Sequence, residues 1–244
     1  PKSMLKKGLT VLSTELKPMK ILIEQKRVPE EGWKDDLIER FLDLLSTMDS
    51  DKDSKVASVG EREGRVASPL VSKLAAGFHH GVGRSGQLVA PQPKAAGCSL
   101  MYYFANRLAT YAMKSFGVPN IKKAYVVPMA TGMTIGLALS VARDSTCGKE
   151  VVCPRADHES PLKAIRLVGL KAKTVEGKVF EDAVRVSTED VEEAISEETC
   201  AILSTTTFFP PREPDNVKEI AKIAAREDVP HIINNAYGVQ SKEI

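Results

Sequence analysis

Residues 200–233, CAILSTTTFFPPREPDNVKEIAKIAAREDVPHII, decide the fold of this chain. The stretch opens and closes with short apolar runs, at 200–203 and 231–233, and each run has the length and composition of a buried strand. Between the runs, residues 215–227 carry apolar side chains at helical spacing. A strand, a helix and a second strand in this order predict a parallel pair, so we expect a mostly parallel sheet.

The same alternation extends towards the N-terminus. Further β-rich runs lie at residues 124–127, 150–153 and 172–175. Helical stretches separate them, near residues 132–143, 160–168 and 188–196. Three helix starts carry capping signals, namely Ser160 before Pro161, Ser187 with Asp190, and Asp215 after Pro214. We therefore predict an α/β fold in which helices flank a mostly parallel sheet, with sites beyond the carboxyl ends of the strands.

Two further helices, near residues 3–25 and 35–48, precede this alternating region. We assign residues 1–55 to an N-terminal helical extension, whose polar end at 49–55 we interpret as a turn or linker, and residues 56–244 to a large domain. Residues 1–34 hold eight Lys and Arg against four Glu. This local excess can meet a phosphate backbone or can form a solvated helix face, and both interpretations stay open.

Composition excludes several classes of protein. With 244 residues, 43% of them apolar, the chain is long enough for one large domain with an extension. A bilayer-spanning apolar run and a signal-peptide core are both missing, so we expect a soluble, cytoplasmic protein without a membrane partner. The four cysteines are far apart, which predicts reduced thiols and neither a disulfide framework nor a metal site. These are Cys98, Cys147, Cys153 and Cys200.

The turn at residues 128–133, PMATGM, is the first candidate site, because it lies between a predicted strand and a predicted helix. Free backbone N–H groups at a helix N-terminus, together with the hydroxyl of Thr131, can hold a phosphate dianion. An Ala-Thr-Gly sequence is also typical of an ordinary packing turn, and the sequence of this turn alone does not decide between the two.

Two more strand ends carry polar residues. Asn234 opens Asn-Asn-Ala-Tyr, which resembles the Asp-x-Ala-Tyr of fold type I pyridoxal-phosphate (PLP) enzymes, where the aspartate faces the pyridine nitrogen. A neutral asparagine can bond to that nitrogen without holding it protonated by charge. His158 follows another strand, and its flat ring can stack on a cofactor. Ordinary alternatives are a loop satisfied by asparagines and a surface histidine, but three such turns in the correct order favour a PLP site.

Residues 60–97 are rich in glycine and arginine. GEREGR at 60–65 and GVGRSG at 81–86 are followed by QPK at 92–94. Glycine leaves the backbone N–H groups accessible, and a planar guanidinium group can form two hydrogen bonds to one phosphate, so this composition suits binding of a phosphate monoester. The Walker A pattern is absent from the sequence. GVGRSG has the spacing Gly-x-Gly-x-x-Gly, but no predicted strand precedes it, so we do not interpret it as a dinucleotide-binding site. A flexible surface loop is the alternative.

Five blocks of the sequence resemble the O-phosphoseryl-tRNA(Sec):selenium transferase family, and they are most like its archaeal members. The blocks are GEREGRVAS, HGVGRSGQLVAPQPKAAG, VVPMATGM, STTTFFPPR and PHIINNAYGVQ. The resemblance implies a PLP-dependent transferase of fold type I. It implies that the substrate phosphate is bound by Arg62, Arg84, Ser85 and Gln92, with Lys94 in the same loop. It implies that PLP is bound by Ala130, Thr131 and Gly132 at its phosphate, His158 on its ring and Asn234 at its pyridine nitrogen.

The resemblance also implies the reaction and the partners. Phosphate is eliminated from phosphoserine esterified to tRNA(Sec), and selenophosphate then supplies selenium. Family members are tetramers built from dimers, whose N-terminal helices assist assembly and tRNA binding.

The family's Schiff-base lysine lies beyond Ile244, and Lys242 is too close to Asn234 to replace it. We therefore expect the 244 residues alone to be inactive and unstable. Two alternatives remain, a PLP enzyme that forms cysteinyl-tRNA from phosphoseryl-tRNA and a catalytically inactive tRNA-binding fragment.

Overall fold

The computed structural model describes residues 2–53, 55, 66–84, 87–155, 158–206, 211–236 and 238–239. The chain divides into two compact units. The first consists of Pro1–Ser115 and Pro119–Val126, and the second of Phe116–Val118 and Val127–Ile244. These units do not coincide with the predicted segments 1–55 and 56–244, because a later helix packs with the N-terminal helices.

The first unit is helical. Its helices are α1 (Lys2–Gln25), α2 (Asp35–Ser46), α3 (Pro69–Leu74) and α4 (Ala96–Phe116). Leu22 of α1, Leu45 of α2 and Phe104 of α4 are buried in one core. A Cβ on Gly97 would lie 1.7 Å from the carbonyl oxygen of Leu45, so only glycine allows α4 to approach α2 this closely. The predicted N-terminal helices are confirmed, and α4 completes their core.

The segment predicted as a turn or linker, residues 49–55, is structured in its first half. Ser50–Lys52 is a 3-10 helix, and Asp49 is only 1% exposed. Asp49 forms an antiparallel β-bridge with Ala95, just before α4. Of the two forms predicted, a turn or a linker, residues 49–52 take the turn, because polar residues there are paired within the fold.

The strand predicted at residues 124–127 is also wrong. The N–H of Val126 donates to Asn106 Oδ1 at 2.7 Å, and the carbonyl of Val126 accepts the hydroxyl of Tyr102 at 2.8 Å. Side chains of α4 thus take the backbone groups that a neighbouring strand would bind, and no strand in the described ranges pairs with this segment.

The second unit alternates strands and helices. In chain order these are α5 (Thr131–Thr146), β1 (Glu150–Pro154), α6 (Glu159–Leu167), β2 (Lys171–Val175), β3 (Lys178–Phe180), β4 (Ala183–Arg185), α7 (Thr188–Glu193), β5 (Thr199–Thr205), α8 (Val217–Arg226) and β6 (His231–Asn234). A parallel sheet has the order β2-β1-β5-β6, and β3 pairs with β4 as a separate antiparallel hairpin that was not predicted. The four strands of the parallel sheet are confirmed.

Alternate residues of the buried strands face two cores. Cys153 and Leu203 pack in one core with α5 and α6, whereas Val152 and Ile202 pack in the other with α7 and α8. Helices therefore cover both faces of the sheet, and the predicted α/β class is confirmed. None of the helices in the described residues has the length and apolar character needed to cross a membrane.

Two of the three predicted helix caps are wrong. The N-cap of α6 is His158 instead of Ser160, and the N-cap of α8 is Asn216 instead of Asp215. Ser187 caps α7 as predicted, accepting the backbone N–H three residues along at 3.2 Å. In both wrong cases a neighbouring polar side chain takes the capping role.

Candidate functional site

One edge of the parallel sheet brings together the ends of several elements. The carboxyl ends of β1, β5 and β6 lie there, because these strands are parallel neighbours. Helices α5 and α6 begin beside each other, since a Cβ on Gly132 would lie 3.5 Å from the carbonyl oxygen of Ser160 and 3.9 Å from its Oγ. The predicted phosphate turn of α5 is thus placed next to the loop that carries His158.

The start of α5 presents open backbone donors. Ala130 is the N-cap residue in an extended conformation, and no side chain among the described residues caps this helix start. The carbonyl of Ala130 accepts the N–H of Thr134 at 3.0 Å, while Thr131 is exposed and Gly132 is half-buried. The N–H groups of the first helical turn have no partner within the helix, and the helix dipole favours an anion there. This geometry suits the phosphate group predicted for it.

His158 borders a cavity of about 470 Å³ at the same edge. Its Nδ1 accepts the backbone N–H of Ser160 at 3.2 Å and so caps α6. When the ring is neutral, this bond leaves the hydrogen on Nε2. The cavity is also lined by Cys153, Pro154, Arg155, Glu159, Pro161, Leu162, Thr174, Glu176, Leu203 and Thr205.

Asn234 is the last residue of β6, one strand away from that cavity. It pairs in register with Thr205 of β5, which lines the cavity. The next residues are bonded as well, because Thr206 donates its N–H to the Asn234 carbonyl at 3.1 Å and its hydroxyl to Asn235 Oδ1 at 2.6 Å. The ends of β5 and β6 are therefore held together where the sequence places the pyridine partner.

Asp215 supports this edge in a way that sequence reasoning missed. It is 7% exposed, its Oδ2 accepts the N–H of Thr205 at 2.7 Å, and its Oδ1 pairs with Arg212. Burial raises the pKa of Asp215, and the bonds from Thr205 and Arg212 oppose that rise. The carboxyl group thus fixes the end of β5. The sequence around Asp215 carries the signals of a helix start, and nothing local indicates burial.

The predicted substrate-phosphate residues belong to the first unit. We call residues 81–94 the substrate loop. Arg84 is exposed, and its backbone exchanges two hydrogen bonds with Gln87, at 2.9 and 3.0 Å. Gly83 has a φ of 74°, and a Cβ there would lie 2.6 Å from the Gln87 carbonyl oxygen, so this position requires glycine. The N–H of Gln92 donates to Ser99 Oγ at 2.8 Å, which ties the end of the loop to α4.

Of the other residues predicted to bind the substrate phosphate or to lie beside it, the structure describes one and leaves two outside its described ranges. Lys94 is exposed, and its carbonyl accepts the N–H of Ser50 at 2.8 Å. Arg62 and Ser85 lie outside the described residues. The structure therefore assigns Arg84 and Gln92 to one loop of the first unit, and Thr131, His158 and Asn234 to one sheet edge of the second.

All four cysteines are free thiols in the structure. Burial raises the pKa of Cys98, Cys153 and Cys200, so these side chains stay protonated near neutral pH. Across the ranges that the structure describes, no group of three or more His, Cys, Asp or Glu side chains could hold a metal ion.

A family model and several known proteins match this chain over most of its length. The family model for O-phosphoseryl-tRNA(Sec) selenium transferase matches residues 48–244. The O-phosphoseryl-tRNA(Sec) selenium transferase of Methanopyrus kandleri is 49% identical over 245 residues, covering 100% of this chain and 56% of that protein. The protein of the same name from Caenorhabditis elegans is 41% identical, covering 91% of this chain and 47% of its own length.

A solved structure agrees with these sequence matches. The crystal structure of an archaeal O-phosphoseryl-tRNA(Sec) selenium transferase has a TM-score of 0.90 and 44% identity, covering 97% of this chain and 55% of that one. The chain thus spans about half the length of the relatives it matches.

Proposed function

The chain belongs to the O-phosphoseryl-tRNA(Sec) selenium transferase family, and we propose that the full-length protein converts O-phosphoseryl-tRNA(Sec) to selenocysteinyl-tRNA(Sec) in the cytoplasm. Selenophosphate is the selenium donor in this proposal, and PLP is the cofactor, bound by a fold type I architecture. The observation that carries the proposal is the 49% identity to a selenium transferase over the whole of this chain. The meeting of Gly132, His158 and Asn234 at one sheet edge supports it.

The second unit has the features that PLP needs. The uncapped start of α5, with Ala130, Thr131 and Gly132, would hold the cofactor phosphate. His158 would stack on the ring, and Asn234 would donate a hydrogen bond to the pyridine nitrogen. A cavity of about 470 Å³ next to His158 leaves room for a ring of this size. When bound, PLP supplies an electron sink for the negative charge that forms at the substrate α-carbon.

The substrate loop would bind the leaving phosphate. Arg84 presents a planar guanidinium group that can form two parallel hydrogen bonds to phosphate oxygens, and its exposure leaves it accessible. Arg62, Ser85 and Gln92 would complete the site. Positive charge at this point stabilises the phosphate as it leaves the β-carbon, an effect that grows in a site from which water is excluded.

We assign assembly and tRNA binding to residues 1–55. Helix α1 exposes large apolar side chains that a solvated helix has no reason to carry, namely Met4 (76%), Leu5 (69%), Leu9 (69%) and Leu12 (57%). These side chains support packing against another chain in a tetramer formed by two dimers. The lysines of the same helix, such as Lys6 and Lys17, suit a phosphate backbone.

The decisive test is Arg84→Ala in the full-length, PLP-loaded protein. Phosphate release from phosphoseryl-tRNA(Sec) should fall by about 100-fold or more, as expected when a preorganised donor to the departing charge is removed. Arg107→Ala removes the same charge from an exposed position on α4 and should leave the rate unchanged. Equal rates for the Arg84 variant and the wild type would refute the phosphate-binding role. Assaying the 244 residues beside the full-length protein tests the expectation that they are inactive alone.

A further inference from the structure

Residues 49–52 contact the chain on both sides of the substrate loop, at residues 79–80 before it and 94–98 at its end. We call this segment the loop clamp. It follows α2 directly and includes the 3-10 helix Ser50–Lys52. Its contacts with the loop ends come from two buried carboxylates, Asp49 and Asp51, whose side chains point to opposite ends of the loop.

At the far end of the loop, the clamp binds the start of α4. Asp49 Oδ1 accepts the backbone N–H groups of Gly97 at 2.8 Å and Cys98 at 3.1 Å. These are N–H groups of the first turn of α4, so Asp49 serves as a cap supplied from a distant part of the chain. The N–H of Ser50 donates to the Lys94 carbonyl at 2.8 Å. Three hydrogen bonds therefore fix the point where the loop ends.

Before the start of the loop, the carboxylate of Asp51 lies close to the side chains of Lys52, His79 and His80. Its Oδ2 lies 2.9 Å from His79 Nδ1 and also accepts from Lys52 Nζ, while Oδ1 lies 3.6 Å from His80 Nε2. His79 is held on its other side by Ser72 Oγ, 3.0 Å from Nε2. The side chains of Asp51 and His80 are only 6% and 2% exposed. At 3.6 Å the Asp51–His80 contact is longer than a hydrogen bond, and within the described chain neither Asp51 Oδ1 nor His80 Nε2 has a hydrogen-bond partner.

This arrangement requires a negative charge on Asp51. Burial by itself would raise the pKa of Asp51, but the hydrogen bonds from Lys52 and His79 outweigh it and lower the pKa. If His80 carried its hydrogen on Nδ1, lone pairs of Nε2 and Oδ1 would face each other, so the Nε2–H form is favoured. His80 is the residue immediately before the substrate loop, and Arg84 lies four residues further on. Because so few residues separate them, the position of His80 restricts where Arg84 can lie.

We propose that Asp51 is a positioning residue for substrate-phosphate binding: by holding His79 and His80, it sets the place from which Arg84 reaches the phosphate. This inference rests on the proposed role of the substrate loop. Asp51 is not placed as a phosphate ligand itself, because its side chain is only 6% exposed. Its effect is to preorganise the loop, because a loop that must be ordered during binding loses affinity to that ordering.

The test measures binding of inorganic phosphate to the full-length, PLP-loaded protein by calorimetry, with the cofactor occupying its own phosphate site. Asp51→Asn keeps the size of the side chain but not its charge, and should weaken phosphate binding about tenfold, whereas Asp51→Glu should recover part of the loss. Asp53→Asn is the matched control, because Asp53 is exposed and its side chain accepts only the backbone N–H of Lys55 among the described residues. It should bind phosphate as the wild type does.

A second pair of variants covers the case in which Asp51→Asn does not fold. His80→Leu removes the polar ring that faces Asp51 at 3.6 Å and should lose phosphate affinity, whereas His80→Gln keeps an N–H group on that side and should retain most of it. Folded Asp51→Asn or His80→Leu protein with affinity within twofold of wild type would overturn the inference about the clamp alone. If Arg84→Ala and wild type bind phosphate equally, the proposed function of the substrate loop fails, and the clamp proposal fails with it.

Discussion

Replacement of Gly97 by alanine tests the close contact on which the first unit depends. The added Cβ would lie 1.7 Å from the Leu45 carbonyl oxygen and 2.6 Å from its carbon, and both atoms belong to the backbone of a packed helix. No side-chain rotation relieves this overlap, so α4 and α2 must separate. Overpacking of this kind costs about 3 kcal/mol or more, and it also strains the hydrogen bond from Gly97 to Asp49.

Urea unfolding followed by the fluorescence of Trp33 measures this cost. Trp33 is the only tryptophan in the sequence, and it packs edge-on against Phe41 in the same core, with ring centroids 5.7 Å apart. With an m-value of about 1.5 kcal/mol/M for a unit of this size, the midpoint should fall by about 2 M urea. A midpoint within about 0.3 M of wild type would refute the close crossing of the two helices.

Gly136→Ala is the matched control, since Gly136 is also a buried helical glycine. A Cβ there would lie 3.6 Å from its nearest neighbours, which is ordinary van der Waals contact. Alanine favours the helix by up to about 1 kcal/mol relative to glycine, so this variant should unfold no earlier than wild type by circular dichroism. Destabilisation of both variants to the same extent would mean that helix geometry, and not the Leu45 contact, determines the result.

Two further predictions concern the second unit. In the full-length protein, His158→Asn should weaken PLP binding by about tenfold in an absorbance titration, because ring stacking is lost. Circular dichroism should show intact folding, because asparagine also caps helices. Unchanged PLP affinity would contradict the stacking role. Burial lowers the pKa of His231, whose Nε2 lies 2.7 Å from Ser204 Oγ, so the folded state resists protonation and stability should fall as the pH drops below 6.5. His231→Gln should unfold with a weaker pH dependence between pH 7 and 5, and identical slopes would show that this histidine does not contribute.

The sheet was predictable wherever burial leaves a pattern in the sequence. Strand β5 is buried throughout and its neighbour β1 is buried from its second residue onward, and this burial produces the apolar runs at 200–203 and 151–153. The run at 124–127 has the same composition, but its backbone binds side chains of α4, and composition does not specify the hydrogen-bond partner. The hairpin of β3 and β4 was missed because all three residues of β3 are exposed.

The candidate site was predictable to the extent that it follows from topology. Parallel strands place their carboxyl ends at one edge, so polar residues after β1 and β6 were expected to meet there. Hydrogen-bonded side chains that are far apart in the sequence leave no recognisable sequence pattern. Asp51 and His79 are 28 residues apart, and each alone has the appearance of an ordinary polar residue of a linker or loop. Their pairing depends on the packing of the whole first unit.

The stability of the first unit and the position of the substrate loop are linked at Gly97, because the Cα of this residue lies against the Leu45 carbonyl and its N–H donates to Asp49. Separation of α4 from α2 in Gly97→Ala would therefore also shift the end of the loop. In this variant, phosphate affinity and the unfolding midpoint should fall together. Asp51 acts at the opposite end of the loop, outside the apolar core, so Asp51→Asn should lower the phosphate affinity more than the midpoint. If Asp51→Asn lowered the midpoint as much as Gly97→Ala does for the same loss of phosphate affinity, the clamp would act only by stabilising the fold.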